Sequence, residues 1–412
     1  MTQSVAQRRV VVTGLGCVTP IGSTVDTFRT SLYAGKTGIA PLPPFPEAPG
    51  PTLGLRFTQA ATVRDFDPTQ HLSTGIVSAT DRTAQFAIVA ARQAAAESQI
   101  AQRYDPGDIA IVLGCGDGGR VTVEAETAKL YTRDARVHPF TVTRTMASAG
   151  VSQVSIDLGI TGPVLAITTA CASANHAIGM AFHMIRAGMV EAAIAGGHEA
   201  PLSFGFLRAW DSIRVVSPTA CRPFSADRDG MTLGEGAAMF TLETLDAAQT
   251  RGATIYAEIV GFGMSADARH ITQPDPAGAA TAIRKALADA SLTPEDVDYI
   301  SAHGTGTQTN DTVEAAALHQ VFGPRAAHIP ITATKSLHGH SIGASGALEA
   351  LATILALHHH SLPFTAGVTT IDPAIDLDII TGQPREASPQ IAISNSLAFG
   401  GLNAVLAFRR YE

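Results

Sequence analysis

Two stretches of the chain repeat one pattern, and that repetition limits the folds available to it. In the first, an apolar strand, Val164-Leu165-Ala166-Ile167-Thr168, runs through Thr169-Ala170-Cys171-Ala172-Ser173-Ala174 into a helix of small residues ending near Ala187. In the second, His328-Ile329-Pro330-Ile331-Thr332 leads through Lys335 to His340 into Gly343-Ala344-Ser345-Gly346-Ala347 and a similar helix ending near Leu357. Each helix is apolar or small nearly all round. Such a helix must be buried, and its Gly and Ala let neighbouring elements approach closely. Two apolar strands follow each helix: Ala192–Gly196 and Ala237–Leu242, then Ala392–Asn395 and Ala404–Phe408. The pattern predicts an α/β chain of two related halves, 1–255 and 256–412, divided just before the strand Tyr256–Val260. Continuous apolar strands such as Asp108-Ile109-Ala110-Ile111-Val112-Leu113-Gly114, next to helical stretches such as 82–98, predict sheets covered on both faces.

Composition narrows the functions. Hydrophobic residues make up 45% of the 412 and charged residues 16%, enough to bury a large core. The net charge of -8 argues against general binding to nucleic acid or an anionic membrane. No stretch reads as a signal peptide or a membrane span. Cys17, Cys115, Cys171 and Cys221 are far apart and without CxxC spacing, which predicts reduced thiols and a cytoplasmic protein. Gly14-Leu15-Gly16 follows a strand but lacks the third glycine of a dinucleotide loop. Residues 40–55, rich in Pro and Gly, read as an irregular surface segment.

Four segments could carry chemistry. Cys171 stands where a strand gives way to a buried helix. Unpaired N–H groups and the positive end of the helix dipole there favour a thiolate and could hold an oxyanion. An inert buried thiol is the alternative. His303 sits at the tip of Tyr299-Ile300-Ser301-Ala302-His303-Gly304-Thr305-Gly306-Thr307, as a reactive or a structural histidine. His340 lies in Thr334-Lys335-Ser336-Leu337-His338-Gly339-His340-Ser341-Ile342-Gly343. His338 and His340 have no Cys or carboxylate at ligand spacing, so a metal is not expected. In Asn395–Asn403, Gly400 and Gly401 would allow backbone to approach a ligand, or form a tight hairpin.

The ordered set TACAS (169–173), RPFSADRDGMTLGEG (222–236), AHGTGT (302–307), TKSLHGHSIGASGALE (334–349) and FGG (399–401) resembles the β-ketoacyl synthases, specifically the acyl-carrier-protein synthases of the KAS I/KAS II type. The resemblance runs from Arg8 to Phe408. It implies a thiolase-like duplicated αβαβα layered fold, with two mixed sheets around buried helices. It implies a decarboxylative Claisen condensation of malonyl-carrier protein with an acyl group held on Cys171. His303 and His340 would then drive decarboxylation and stabilise the enolate, with Lys335 ordering the pair and Glu349 its companion. The N–H groups of Cys171 and Phe399 would form an oxyanion hole, and Phe399 matches a gating phenylalanine. Thr305 and Thr307 would hold the pantetheine arm, with Gly400 and Gly401 beside the substrate. Arg136 and Arg214 fall at carrier-docking positions, although Thr74–Thr80 lacks the usual basic cluster. No metal or redox cofactor is required. The partners implied are an acyl carrier protein and a second subunit, as a homodimer or as a heterodimer with a chain-length factor.

Some residues depart from the pattern. Asp117 stands where the KAS II type places an apolar residue lining the acyl pocket, and a carboxylate is costly beside a saturated chain. Pairing with an arginine at a dimer interface is the alternative. Leu397, Ala398 and Leu402 depart from NSFGFGGTN, and Gln308-Thr309-Asn310-Asp311 resembles nodulation-factor and type II polyketide or polyene synthases. A short, polar or unsaturated chain is therefore expected in fatty-acid or polyketide biosynthesis. A non-catalytic chain-length-factor subunit would lack the nucleophile, and a thiolase would carry a different Cys/His set.

Overall fold

The computed structural model describes residues 7–45, 54–133 and 135–412. Eleven strands form its main sheet. They are β1 (Val10–Val18), β2 (Ile109–Gly114), β3 (Val164–Ile167), β4 (Ala192–Glu199), β5 (Gly236–Thr244), β6 (Ala257–Ala266), β7 (Tyr299–Ser301), β8 (Pro330–Thr332), β9 (Asp378–Ile379), β10 (Ile391–Ala398) and β11 (Leu402–Arg409). Across the sheet the order is β9-β8-β7-β10-β11-β6-β1-β5-β4-β2-β3. Outward from the centre, β1-β5-β4-β2-β3 is mirrored by β6-β11-β10-β7-β8, and β9 adds an edge. Both sets are mixed: antiparallel near the centre, parallel at β4-β2-β3 and at β10-β7-β8. The two sheets expected from the sequence meet edge to edge where Val10–Val12 pair with Ala257–Ile259, so one ladder runs through all eleven strands.

Five helices position the site: α1 (Arg82–Ser98), α2 (Ser173–Arg186), α3 (Pro276–Asp289), α4 (Gln308–Phe322) and α5 (Ser345–His359). α2 and α5 are the small-residue helices. Residues Ser345 to Leu357 of α5 are all buried, as a helix without a polar face requires. The two helices touch: a Cβ on Gly346 would lie 2.5 Å from Asn175 Oδ1. They share one apolar core with Val10, Val12, Phe240 and Phe408 of the sheet.

α1 lies against β1, and α3 against β6. A Cβ on Gly16 would come 2.0 Å from the Ala90 carbonyl oxygen, and one on Gly263 2.1 Å from that of Ala282. The GxG on β1 therefore serves close helix–strand packing, and Gly261-Phe262-Gly263 repeats it on β6. In the segment read as irregular, Ile39–Pro41 pairs with Gln59–Ala61, and residues 46–53 lie outside the described residues. All four cysteines are free and buried. Among the described residues no helix is long and apolar enough to cross a membrane.

Candidate active site

The site residues stand on loops that leave the carboxyl ends of strands, where α/β sheets place their ligand crevices. Cys171 follows β3 in the turn Ala170–Ala172 that opens α2. His303 follows β7, Lys335 to His340 follow β8, and Phe399 follows β10. Ala170, just before Cys171, is left-handed at φ 49°. Ile342, which opens the 3-10 turn ahead of α5, repeats this at φ 43°. Non-glycine residues hold such angles only where surrounding contacts impose them. The result brings Cys171 Sγ and one ring nitrogen each of His303 and His340 within 4.8 Å of one another, all buried.

Hydrogen bonds fix the histidine tautomers. His340 Nδ1 accepts from the Ile342 N–H at 3.0 Å and faces Ser345 Oγ at 2.8 Å. A backbone N–H can only donate, so the ring hydrogen of neutral His340 is on Nε2. That Nε2 is buried without a partner among the described residues. His303 Nδ1 faces Lys335 Nζ at 3.3 Å, again a donor, which leaves Nε2 as the hydrogen-bearing nitrogen. Lys335 Nζ also donates to the His303 carbonyl at 2.6 Å and to the Glu349 carboxylate. Burial, then the Lys335 charge, holds both histidines well below the ordinary range, so both rings are neutral. Two neutral N–H donors next to a thiol suit an oxyanion. They do not suit a metal, because the His340 Nδ1 lone pair is committed and its Nε2 carries hydrogen.

One expectation is reversed. Burial pushes the Cys171 thiol up to about 12, against the opposing pull of Lys335 and of the N–H groups of Phe399 and Cys171. The resting residue is a thiol, not a thiolate, because desolvation outweighs the helix terminus. The N–H groups of Phe399 and Cys171 lie near the sulfur.

A cavity of roughly 440 Å³ reaches Cys171, lined by His303, His340, Thr305, Thr307 and Phe399 among others. Gly401, Leu397 and Ala398 also border it, with Gly400 adjoining. Thr307 caps α4 by accepting the Asn310 N–H at 3.3 Å, and its hydroxyl lies 2.9 Å from that of Thr305. Arg214 is exposed between Ile213 and Val215, which line the cavity. Arg136 is exposed elsewhere, beside the exposed apolar Val137. Asp117 does not line the cavity. Its turn directs the N–H groups of Gly116 and Asp117 inward to Glu199 and leaves the Asp117 side chain exposed.

The N-terminal domain model of the beta-ketoacyl synthases matches residues 7–248, and the C-terminal domain model residues 256–369. The chain belongs to the β-ketoacyl synthase family. The synthase is 41% identical over 405 residues to nodulation protein E of Rhizobium meliloti (strain 1021), covering 98% of this chain and 99% of the relative. It is 41% identical over 416 residues to 3-oxoacyl-[acyl-carrier-protein] synthase 2 of Synechocystis, with the same coverage. Among solved structures it superposes on the ishigamide ketosynthase/chain length factor with a TM-score of 0.92 at 34% identity, covering 99% of this chain and 100% of that one. It superposes on a type II polyketide acyl-carrier protein–ketosynthase complex bound to the hexaketide with a TM-score of 0.89 at 29% identity, covering 98% and 100%. The thiolase-like fold and the condensing, acyl-transferring class of the synthase follow from these relationships.

Three buried carboxylates brace the synthase site, and none was singled out as a site residue from the sequence. Glu314 accepts the N–H groups of His303 and Gly304, each at 2.8 Å, and Asn395 Nδ2 at 3.1 Å. Asp311 accepts the Phe224 N–H at 2.8 Å and the Gly306 N–H at 3.2 Å. Glu199 accepts from Gly116 at 2.5 Å and from Gly343 at 3.1 Å, and so joins the turn after β2 to the turn after His340. The available signal was an acidic residue inside an otherwise apolar element, as with Glu199 at the end of β4.

Proposed function

We propose that this synthase condenses acyl and malonyl groups delivered by an acyl carrier protein, with Cys171 as the acylated nucleophile. The observation that supports it most is the pair of neutral Nε2–H donors of His303 and His340 beside that thiol. In the first half-reaction, Cys171 sulfur adds to the acyl thioester carbonyl. The bond to the carrier's pantetheine sulfur breaks, and the thiol proton leaves with that sulfur. Malonyl thioester then loses CO2, and the electron pair of the broken C–C bond becomes an enolate. The two Nε2–H groups hold its oxygen. The enolate carbon attacks the acyl carbonyl, whose oxygen rests on the N–H groups of Cys171 and Phe399. The carbon–sulfur bond to Cys171 breaks, and the sulfur takes a proton from solvent. Lys335 and Glu349 act through His303, and Thr305 and Thr307 receive the pantetheine arm. The nucleophile belongs to the half 1–255 and the histidines to the half 256–412, so the site closes across the internal repeat.

A cytoplasmic enzyme with a partner subunit fits these features. β3 is an edge strand with Leu165 exposed, and Leu130, Tyr131 and Val142 are exposed as well. A second copy or a chain-length factor would cover this apolar surface. Arg214 at the cavity mouth suits an acidic carrier, with Arg136 on the partner-facing side. The likeness to nodulation protein E and to the ishigamide proteins favours a specialised pathway and a short, polar or unsaturated chain. That preference rests on these likenesses, since Leu397 and Ala398 along the cavity are apolar and Asp117 does not line it. Incubation with a series of acyl carrier proteins, followed by intact-mass measurement, tests the reading. The acyl mass is expected on the protein and absent in Cys171→Ala. Acylation that survives in Cys171→Ala would overturn it, and a clear preference for saturated C14–C16 chains would overturn the substrate class.

A further inference from the structure

The only tryptophan of the chain, Trp210, is stacked on Phe399. The ring centroids are 5.8 Å apart and the planes 15° from parallel, within the range of an attractive offset pair. Both rings line the cavity that contains Cys171. The two residues are held very differently. Phe399 precedes Gly400 (φ 84°) and Gly401 (φ 69°), so its backbone sits on a left-handed glycine pair. Trp210 belongs to the helix Phe204–Ser212. That helix is moored by Arg56 on Asp211 at 3.0 Å and by Arg208 on the Gly54 carbonyl at 2.6 Å. Trp210 also packs on Phe206, which is buried.

We propose that Trp210 is a positioning residue: a fixed aromatic stop that holds Phe399 in its resting place over the Cys171 thiol. The stack keeps the Phe399 N–H facing the sulfur and the thiol shielded while no acyl group is bound. Loading of Cys171 then requires Phe399 to leave Trp210. An aliphatic residue at 210 would fill part of the space without holding the ring plane. This inference rests on the reading of Cys171 as the loaded nucleophile.

Alkylation with N-ethylmaleimide, mapped by peptide mass, tests it without requiring condensation, so failure of the condensing reading and failure of this one are separable. Alkylation of Cys171 is expected to be about three- to tenfold faster in Trp210→Leu, and within about twofold of the parent in Trp210→Phe, which keeps a stacking ring. The unmutated protein supplies a second reading that does not depend on how a variant folds. Its sole tryptophan emission is expected to shift to the red as Cys171 is alkylated, and not to shift when Cys171→Ala is treated in the same way. An alkylation rate in folded Trp210→Leu equal to the parent's, or emission that does not move on alkylation of Cys171, would overturn the proposal.

Discussion

The backbone N–H of Ile342 donates to Nδ1 of His340 at 3.0 Å, and this one bond decides which ring nitrogen carries hydrogen. The left-handed angle of Ile342 aims the N–H, and Glu199 holds the next amide, Gly343. Lys335 does for His303 what Ile342 does for His340. Nitrogen-15 NMR of the histidine rings is expected to show the Nε2–H tautomer at both residues between about pH 6 and 8, since both are held well below the ordinary range of about 6.5. An Nδ1–H signal at either would remove the donor pair.

Lys335 and Glu349 form an ion pair in which neither side chain is exposed. Lys335→Met strands the carboxylate, and is expected to cost about 3–5 kcal/mol in urea unfolding. The double variant Lys335→Met/Glu349→Leu should recover most of that loss. A double variant no more stable than the single one would contradict the pairing.

His338 is expected to make stability sensitive to acid. Burial holds its ring down at about 3, while the unfolded chain protonates near 6.5. Its stability contribution is therefore complete above pH 6.5 and is lost as pH falls toward 3. Between pH 6 and 4, the stability of the parent should fall relative to that of His338→Gln by about 1.4 kcal/mol per pH unit. A stability difference that does not vary with pH in urea titrations at pH 7, 6 and 5 would contradict this.

The internal repeat can be tested by packing. Gly16→Ala and Gly263→Ala each drive a Cβ into a helix carbonyl at about the same distance, 2.0 and 2.1 Å. Each is expected to lose about 1–3 kcal/mol or more in thermal unfolding, and by similar amounts. A neutral substitution at either would mean that the helix shifts freely.

The motifs around Cys171, His303 and His340 were legible because each is a short, continuous run. Glu314 and Glu199 were not, since each partners backbone N–H groups brought to it only by the fold, such as Gly116, 83 positions from Glu199. The protonation of Cys171 was misread for a reason of magnitude. A helix terminus contributes about 0.3–1 kcal/mol at an exposed position, whereas full burial costs a charged group more. Gly14-Leu15-Gly16 carried the right glycines, but their purpose depended on α1, which the local sequence does not reveal. Asp117 matches a pocket-lining position of the motif, but its N–H turns inward to Glu199 and its side chain is exposed.

The decisive measurement separates the two half-reactions in His340→Ala. Release of CO2 from malonyl-acyl carrier protein is expected to fall about 10²–10³-fold, the effect of losing one oxyanion donor, while acylation of Cys171 proceeds at the parental rate. Decarboxylation that continues at the parental rate, or acylation that fails in parallel, would contradict the assignment of the Nε2–H pair to the enolate.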